Sequence, residues 1–235
     1  MATVLAIFSL AGLLYFFSQY LQLVRGCSTL QAGLIELPTS LASIAVVAVV
    51  AAAVHRLGNG RALGGGLILA AAGLLVVAVV ESHGGIVVIC IGLLVIGAGV
   101  GLAFTVSTGA VLGSVPADRA GAASAISETG LELGVALGVA VLGTIQDVGY
   151  RLLLGRPPAG LPDRVVDAAK QSLATLSGVI DQADPGQARL LGHAQTAFTH
   201  AMQATAVIAA GILLVAGVMA ARRVPATSET SEETA

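Results

Sequence analysis

The chain has 235 residues, 56% of them apolar and only 10% charged, with a mean hydropathy of +0.94 and a formal net charge of −2. So few polar residues cannot cover a water-soluble surface, and no basic tract offers a nucleic-acid footprint. The long Ala/Val/Leu/Gly runs lack the alternating segments of about ten residues that mark a transmembrane barrel, so the expected fold class is all-α, a polytopic helical membrane protein.

Apolar runs cover about 3–24, 32–54, 62–81, 85–112, 119–146 and 198–221. Each has the roughly 20 residues needed to cross about 30 Å of hydrocarbon at about 1.5 Å per residue. The first run is too long and too aromatic for a cleaved signal peptide and has no basic residue before it. Met1 therefore opens almost directly into lipid, which leads to the expectation of further chain upstream. Six spans place both ends on one side. Arg56 and Arg61, Arg119, and Arg222 with Arg223 share that side, whereas Arg25 lies opposite, so the basic side is expected to be cytoplasmic and the protein a multi-pass inner-membrane protein. The expected organisation is a six-span bundle over 1–223 and a disordered tail over 224–235.

The outer connection, 147–197, contains Asp163 as a helix cap followed by Val165, Val166, Ala169, Leu173, Leu176 and Val179 at helical spacing, which predicts an amphipathic helix. Cys27 and Cys90 show no metal spacing and are expected as free thiols. The histidines form no ligand set, and no Ser/His/Asp or Cys/His constellation supports catalysis, so neither a cofactor nor an enzyme is expected. Gln31-Ala32-Gly33 and Arg119-Ala120-Gly121 enter their helices in a similar place, a hint of an inverted repeat.

Span five carries the sharpest feature, Ser127-Glu128-Thr129-Gly130-Leu131-Glu132, with two carboxylates four residues apart on one helical face. Counted from position 119, Glu128 lies roughly 14 Å and Glu132 roughly 20 Å into the membrane. Each ionised acid facing lipid there costs about 2.5 to 3.5 kcal/mol, so both are expected to face the bundle interior or a water-filled cavity. A carboxylate that is neutral when protonated and attracts a cation when ionised can exchange one for the other, the core of antiport. The competing reading has both acids bonded to hydroxyls such as Thr129 or Ser124 in a tight interface.

Gly130, Gly134 and Gly138 at spacing four, with Gly97 and Gly101 in span four, suit close helix packing. Tyr15, Phe16, Gln19 and Tyr20 concentrate aromatic rings and an amide in span one; they suit a cavity wall for hydrophobic cations or an aromatic belt at the membrane surface. Glu36, about a turn into span two, and Glu81 with His83 at the outer end of span three sit where charges reach water.

Leu21-Gln22-Leu23-Val24, Ser28-Thr29-Leu30-Gln31-Ala32-Gly33, the stretch from Gly97 to Phe104, Val115-Pro-Ala-Asp-Arg-Ala-Gly-Ala-Ala-Ser124 and the stretch from Leu133 to Gly143 resemble, in order and spacing, the C-terminal bundle of the fourteen-span drug/proton antiporters of the major facilitator superfamily. The resemblance implies export of quaternary ammonium compounds and other lipophilic cations, with the acidic pair of this helix mapping onto Glu128 and Glu132. It implies a cytoplasmic loop at Arg56, Gly58 and Arg61, where His55 replaces the Asp of many members, and it adds Phe104 to the candidate cavity wall. The family has two bundles and two linking helices, and this chain matches only the last six spans. Rocking of two bundles requires an N-terminal half or a second copy beside the bilayer, substrate and protons. The alternative is a six-span structural or regulatory subunit without transport activity of its own.

Overall fold

The computed structural model describes residues 2–80, 85–158 and 160–223. Glu81, His83 and the tail expected over 224–235 fall outside the described residues. The elements are helices α1 (Ala2–Leu23), α2 (Thr29–Val80), α3 (Ile86–Gly113), α4 (Ala120–Leu154), α5 (Asp163–Gln171), α6 (Leu173–Val179) and α7 (Pro185–Arg223), with a 3-10 turn at Ala117–Arg119 before α4. Among the described residues, α1, α2, α3, α4 and α7 are long and apolar enough to cross a membrane. The expected polytopic helical bundle is what the chain forms.

Helix α2 has 52 residues, more than twice the length that a bilayer needs. Its backbone leaves the helix at Gly58, φ 77° and ψ 160°, a conformation that residues with a Cβ avoid. Thr39 and Ser43 of the arm before Gly58 pack on Gly97 and Gly101 of α3, while Gly66 and Ala70 of the arm after it pack on Gly99 and Ala103. A straight helix cannot bring residues 43 and 66, about 35 Å apart at 1.5 Å per residue, to neighbouring turns of one partner. The chain therefore folds back at Gly58, and its arms, 29–57 and 59–80, flank α3 as two separate apolar segments.

Backbone contact through small residues holds the helices together, as lipid supplies no hydrophobic drive for their association. A Cβ on Gly97 would collide with the Thr39 carbonyl, one on Gly101 would sit 2.7 Å from Ser43 Cα, and Ser43 Oγ donates to the Gly97 carbonyl at 2.8 Å. On α4, a Cβ on Gly134 would lie 2.9 Å from the Val4 carbonyl and one on Gly138 would collide with that of Phe8. Gly130 departs from the expected packing set: its Cβ would make ordinary contact with Val4 Cγ2 at 3.5 Å. Equally tight contacts at Gly12, Gly64, Gly66, Gly73 and Gly99 extend the pattern beyond the predicted glycines.

The connection expected over 147–197 is shorter than hydropathy suggests. Helix α4 continues to Leu154 instead of ending at 146, and α7 begins at Pro185 instead of 198. Tertiary contacts hold these polar extensions: Gln146 Nε2 donates to the Phe198 carbonyl at 3.2 Å, Thr205 Oγ1 to Gln146 Oε1 at 3.3 Å and Tyr150 Oη to the Ala169 carbonyl at 2.9 Å. The predicted amphipathic helix is present with Val165, Ala169, Leu173 and Leu176 buried, but it breaks into α5 and α6 at Ser172, whose hydroxyl caps α6 by accepting from Thr175 N. Asp163 is not the cap. It lies in the first turn, and Pro162 at the N-cap has no side chain to offer. The repeat hint also fails in detail, because Ala32 lies a turn into α2 behind a reciprocal Ser28/Gln31 capping box, whereas Ala120 opens α4 with no side-chain cap. Cys27 and Cys90 are free thiols.

Asp184 precedes Pro185, the pairing of capping acid and N1 proline that starts helices. Its carboxylate accepts from Gly186 N at 2.8 Å and from Gln187 Nε2 at 3.1 Å. The Gly186 amide foremost, then the Gln187 side chain, holds the Asp184 carboxyl below its ordinary value. A lowered pKa means that the cap's stabilisation is complete above the ordinary carboxylate pKa and is lost as pH falls through the lowered one. Acid titration followed by NMR at Gly186 and Gln187 should show fraying of α7's first turn tracking Asp184 protonation, with no such step in Asp184→Asn. For the bundle, Gly138→Ala should destabilise by about 1 to 3 kcal/mol through overpacking, while Gly130→Ala should be neutral or stabilising, read as thermal unfolding in detergent.

Candidate functional site

Helix α4 packs one face on α1 and on α7: Gly134, Gly138, Leu142, Gln146, Tyr150 and Leu154 recur at spacing four and are buried. At about 100° per residue, Glu128 lies about 120° and Glu132 about 160° around the helix from Gly134. Both glutamates are exposed. Their predicted sharing of one helical face holds, but that face turns away from this bundle instead of into its interior. Glycine contact explains the difference, since it commits the opposite side of α4 to α1.

The rest of α4 is unusually open. Of its most apolar stretch 17% is buried, against 35% to 61% in the other four candidate spans. Its open surface divides into two sectors. Ile126, Leu133, Leu137 and Val141 form an apolar one suited to lipid, and Gly121, Ala125, Glu128, Glu132 and Ala136 form one of small and acidic residues, all exposed. The second sector carries the costly charges amid mostly small residues, with Val135, seven residues beyond Glu128, its exposed aliphatic member.

Among the described residues the ion pairs are Arg151 with Asp147 and Lys170 with Asp167, so no basic side chain neutralises Glu128 or Glu132. The Thr129 hydroxyl donates to the Ala125 carbonyl of its own helix at 2.9 Å, and Ser124 is exposed. The hydroxyl-bonded structural role therefore has no support at Thr129. A cleft of about 390 Å³ opens nearby, lined by Val4, Ser107, Val111, Ser127, Gly130 and Leu131 among others, with neither carboxylate on its wall.

On α1, Tyr15 is 53% exposed with its ring edge-on to Phe16 at 5.0 Å, and Gln19 is half-buried. Phe16 leans on Gly143 of α4. Tyr20 departs from this group: it is buried, stacks on Phe17 and accepts a bond from Arg25 Nε at 2.9 Å, so it belongs to the packing core and not to an open wall. Phe104 lies on α3, 38% exposed. At the reversal, Arg56 and Arg61 are exposed on either side of Gly58.

The sequence model of the Major Facilitator Superfamily matches residues 1–151, which hold the two arms of α2, α3 and the whole acidic sector of α4. The chain belongs to the major facilitator superfamily. It is 38% identical over 217 residues to the multidrug efflux pump LfrA of Mycolicibacterium smegmatis, a match spanning 92% of this chain and 43% of LfrA. It is 36% identical over 138 residues to the multidrug resistance protein Stp of Mycobacterium tuberculosis, 59% of this chain and 26% of Stp. The methyl viologen resistance protein SmvA of Salmonella typhimurium is 28% identical over 200 residues, 82% of this chain and 39% of SmvA. The chain thus spans less than half the length of these relatives. As a facilitator-superfamily chain with five apolar helices long enough to span a bilayer among the described residues, it is a multi-pass membrane protein.

Proposed function

We propose that this chain is the C-terminal six-helix bundle, 1–223, of a proton-coupled antiporter that exports lipophilic cations across the inner membrane, with both termini cytoplasmic. The observation that carries the reading is the exposed acidic sector of α4. Glu128 and Glu132 sit mid-helix, unpaired among the described residues, on a face that lipid would penalise by about 2.5 to 3.5 kcal/mol per charge. Water or a facing bundle covers that sector in the assembled transporter. Relatives that match over less than half their length leave room for such a bundle, either an N-terminal half or a second copy.

In the exchange, an ionised carboxylate attracts the cation and a proton arriving from outside neutralises it, releasing the cation outward. Spacing four lets one helix face present both carboxylates to the same passage, among the small residues Gly121, Ala125 and Ala136. Tyr15 and Phe104 supply ring faces for the organic part of the substrate. Bonds are neither made nor broken in the substrate, so no cofactor is required.

The test is proton-gradient-driven efflux of ethidium from vesicles containing the chain joined to an eight-span N-terminal portion. Glu128→Gln with Glu132→Gln should lower the rate by about tenfold or more. Unchanged proton-coupled efflux in that double variant rejects the role of the pair.

A further inference from the structure

The second arm of α2 meets α7 by backbone contact near the end of α7 farther from α5 and α6. A Cβ on Gly64 would stand 2.5 Å from the Gly217 carbonyl oxygen and 3.0 Å from Ala221 N, and one on Gly217 would stand 2.9 Å from Ile68 Cγ1. Gly64 thus faces Ala221 while Ile68 faces Gly217, so the two helices run antiparallel. Carried one turn further toward the end of α7, that pairing brings Arg61 to the level of Arg222. Both arginines are exposed, and neither forms an ion pair among the described residues. Helices in backbone contact have axes about 8 Å or less apart, a gap that two guanidinium groups on long flexible stems span to close on one anion. Without that anion, two like charges stand side by side at an end of the bundle that backbone contact keeps narrow.

The surface leading away from the pair is apolar. Arg61, Gly65 and Ile68 recur at spacings of four and three, as do Arg222, Val218 and Val215, and all six are exposed. The contact of Ile68 with Gly217 joins the two strips. A Cβ added at Gly65 would meet nothing within 4 Å among the described residues. This glycine therefore serves no helix contact and leaves a shallow place in the strip one turn from Arg61.

Two cations at the head of a shallow apolar strip match an amphiphile with an anionic head and acyl tails. Phosphate suits the pair, because each guanidinium fork offers parallel N–H donors to two of its oxygens. A small soluble anion would use the arginines and leave the strip idle. We propose that Arg61 and Arg222 hold the phosphate of an anionic phospholipid whose acyl chains lie along Gly65, Ile68, Val215 and Val218. Basic residues between membrane helices serve such headgroups in general. The site is separate from the acidic pair of α4, and it stands whether or not the chain takes part in export.

Electron spin resonance of spin-labelled lipids tests the site on the 235-residue chain in phosphatidylcholine bilayers. Spin-labelled phosphatidylglycerol should show an immobilised lipid beyond the number seen with spin-labelled phosphatidylcholine. Arg61→Gln or Arg222→Gln alone should weaken that selective binding by about fivefold, and the two together should abolish it. Arg156→Gln, which removes an equal charge beside α5 at the opposite end, should leave it unchanged. Selective binding that survives the double substitution, that falls as far in Arg156→Gln, or that is absent from the unsubstituted chain overturns the proposal. Inorganic phosphate in large excess separates the two sources of the anion: the bound phosphatidylglycerol should stay in place, and its displacement would assign the arginines to a free anion and overturn the lipid site.

Discussion

Direct backbone contact at glycine fixes the arrangement on which everything else in this bundle depends. In lipid, an apolar side chain gains little by leaving acyl chains for a neighbouring helix, so association rests on how closely backbones approach. Gly97 against the Thr39 carbonyl, Gly138 against that of Phe8 and Gly64 against Gly217 leave no space for a Cβ. Each contact sets both the depth and the rotation of a helix. On α4 the rotation set by Gly134 and Gly138 decides which way the carboxylates point.

That rotation turns a pattern in the sequence into a constraint on assembly. Two acids on the far side of α4 from its packing face cannot rest against lipid at low cost. The adjoining sector, from Ile126 through Val141, has the bulk expected of a lipid face. One helix thus presents three kinds of surface around its circumference: a backbone contact, an apolar sector and an acidic one. The same logic applies to α1, which commits Val4, Phe8 and Phe16 to α4 and leaves Tyr15 open.

Much of the fold was legible because the membrane imposes a length. The apolar runs gave the helices, and the basic, glycine-rich stretch around Gly58 gave the reversal that divides α2 into two arms. Features stabilised by contacts far apart in sequence were not legible. The end of α4 and the start of α7 are too polar for a hydropathy window, yet Gln146, Tyr150 and Phe198 knit them to each other and to α5. Local cap chemistry at Asp184-Pro185 marks the start of α7, but it stands ahead of the apolar run that locates the span. For the site, spacing four showed that Glu128 and Glu132 share a face but carried no information on its direction; only the glycine register supplies that. Tyr20 illustrates the same limit, since five residues, about 140° around the helix, carry it from the open side of Tyr15 into the core.

The orientation of α4 is the central claim, and cysteine accessibility in bilayers tests it most directly. In a background with Cys27→Ser and Cys90→Ser, Glu132→Cys and Leu137→Cys place single thiols on the two open sectors of α4. A charged, membrane-impermeant maleimide applied to the transporter assembled in vesicles should label position 132 and leave position 137 unmodified. Labelling at 137 with protection at 132 contradicts the account, because it would place lipid against the acidic strip and water against the apolar one.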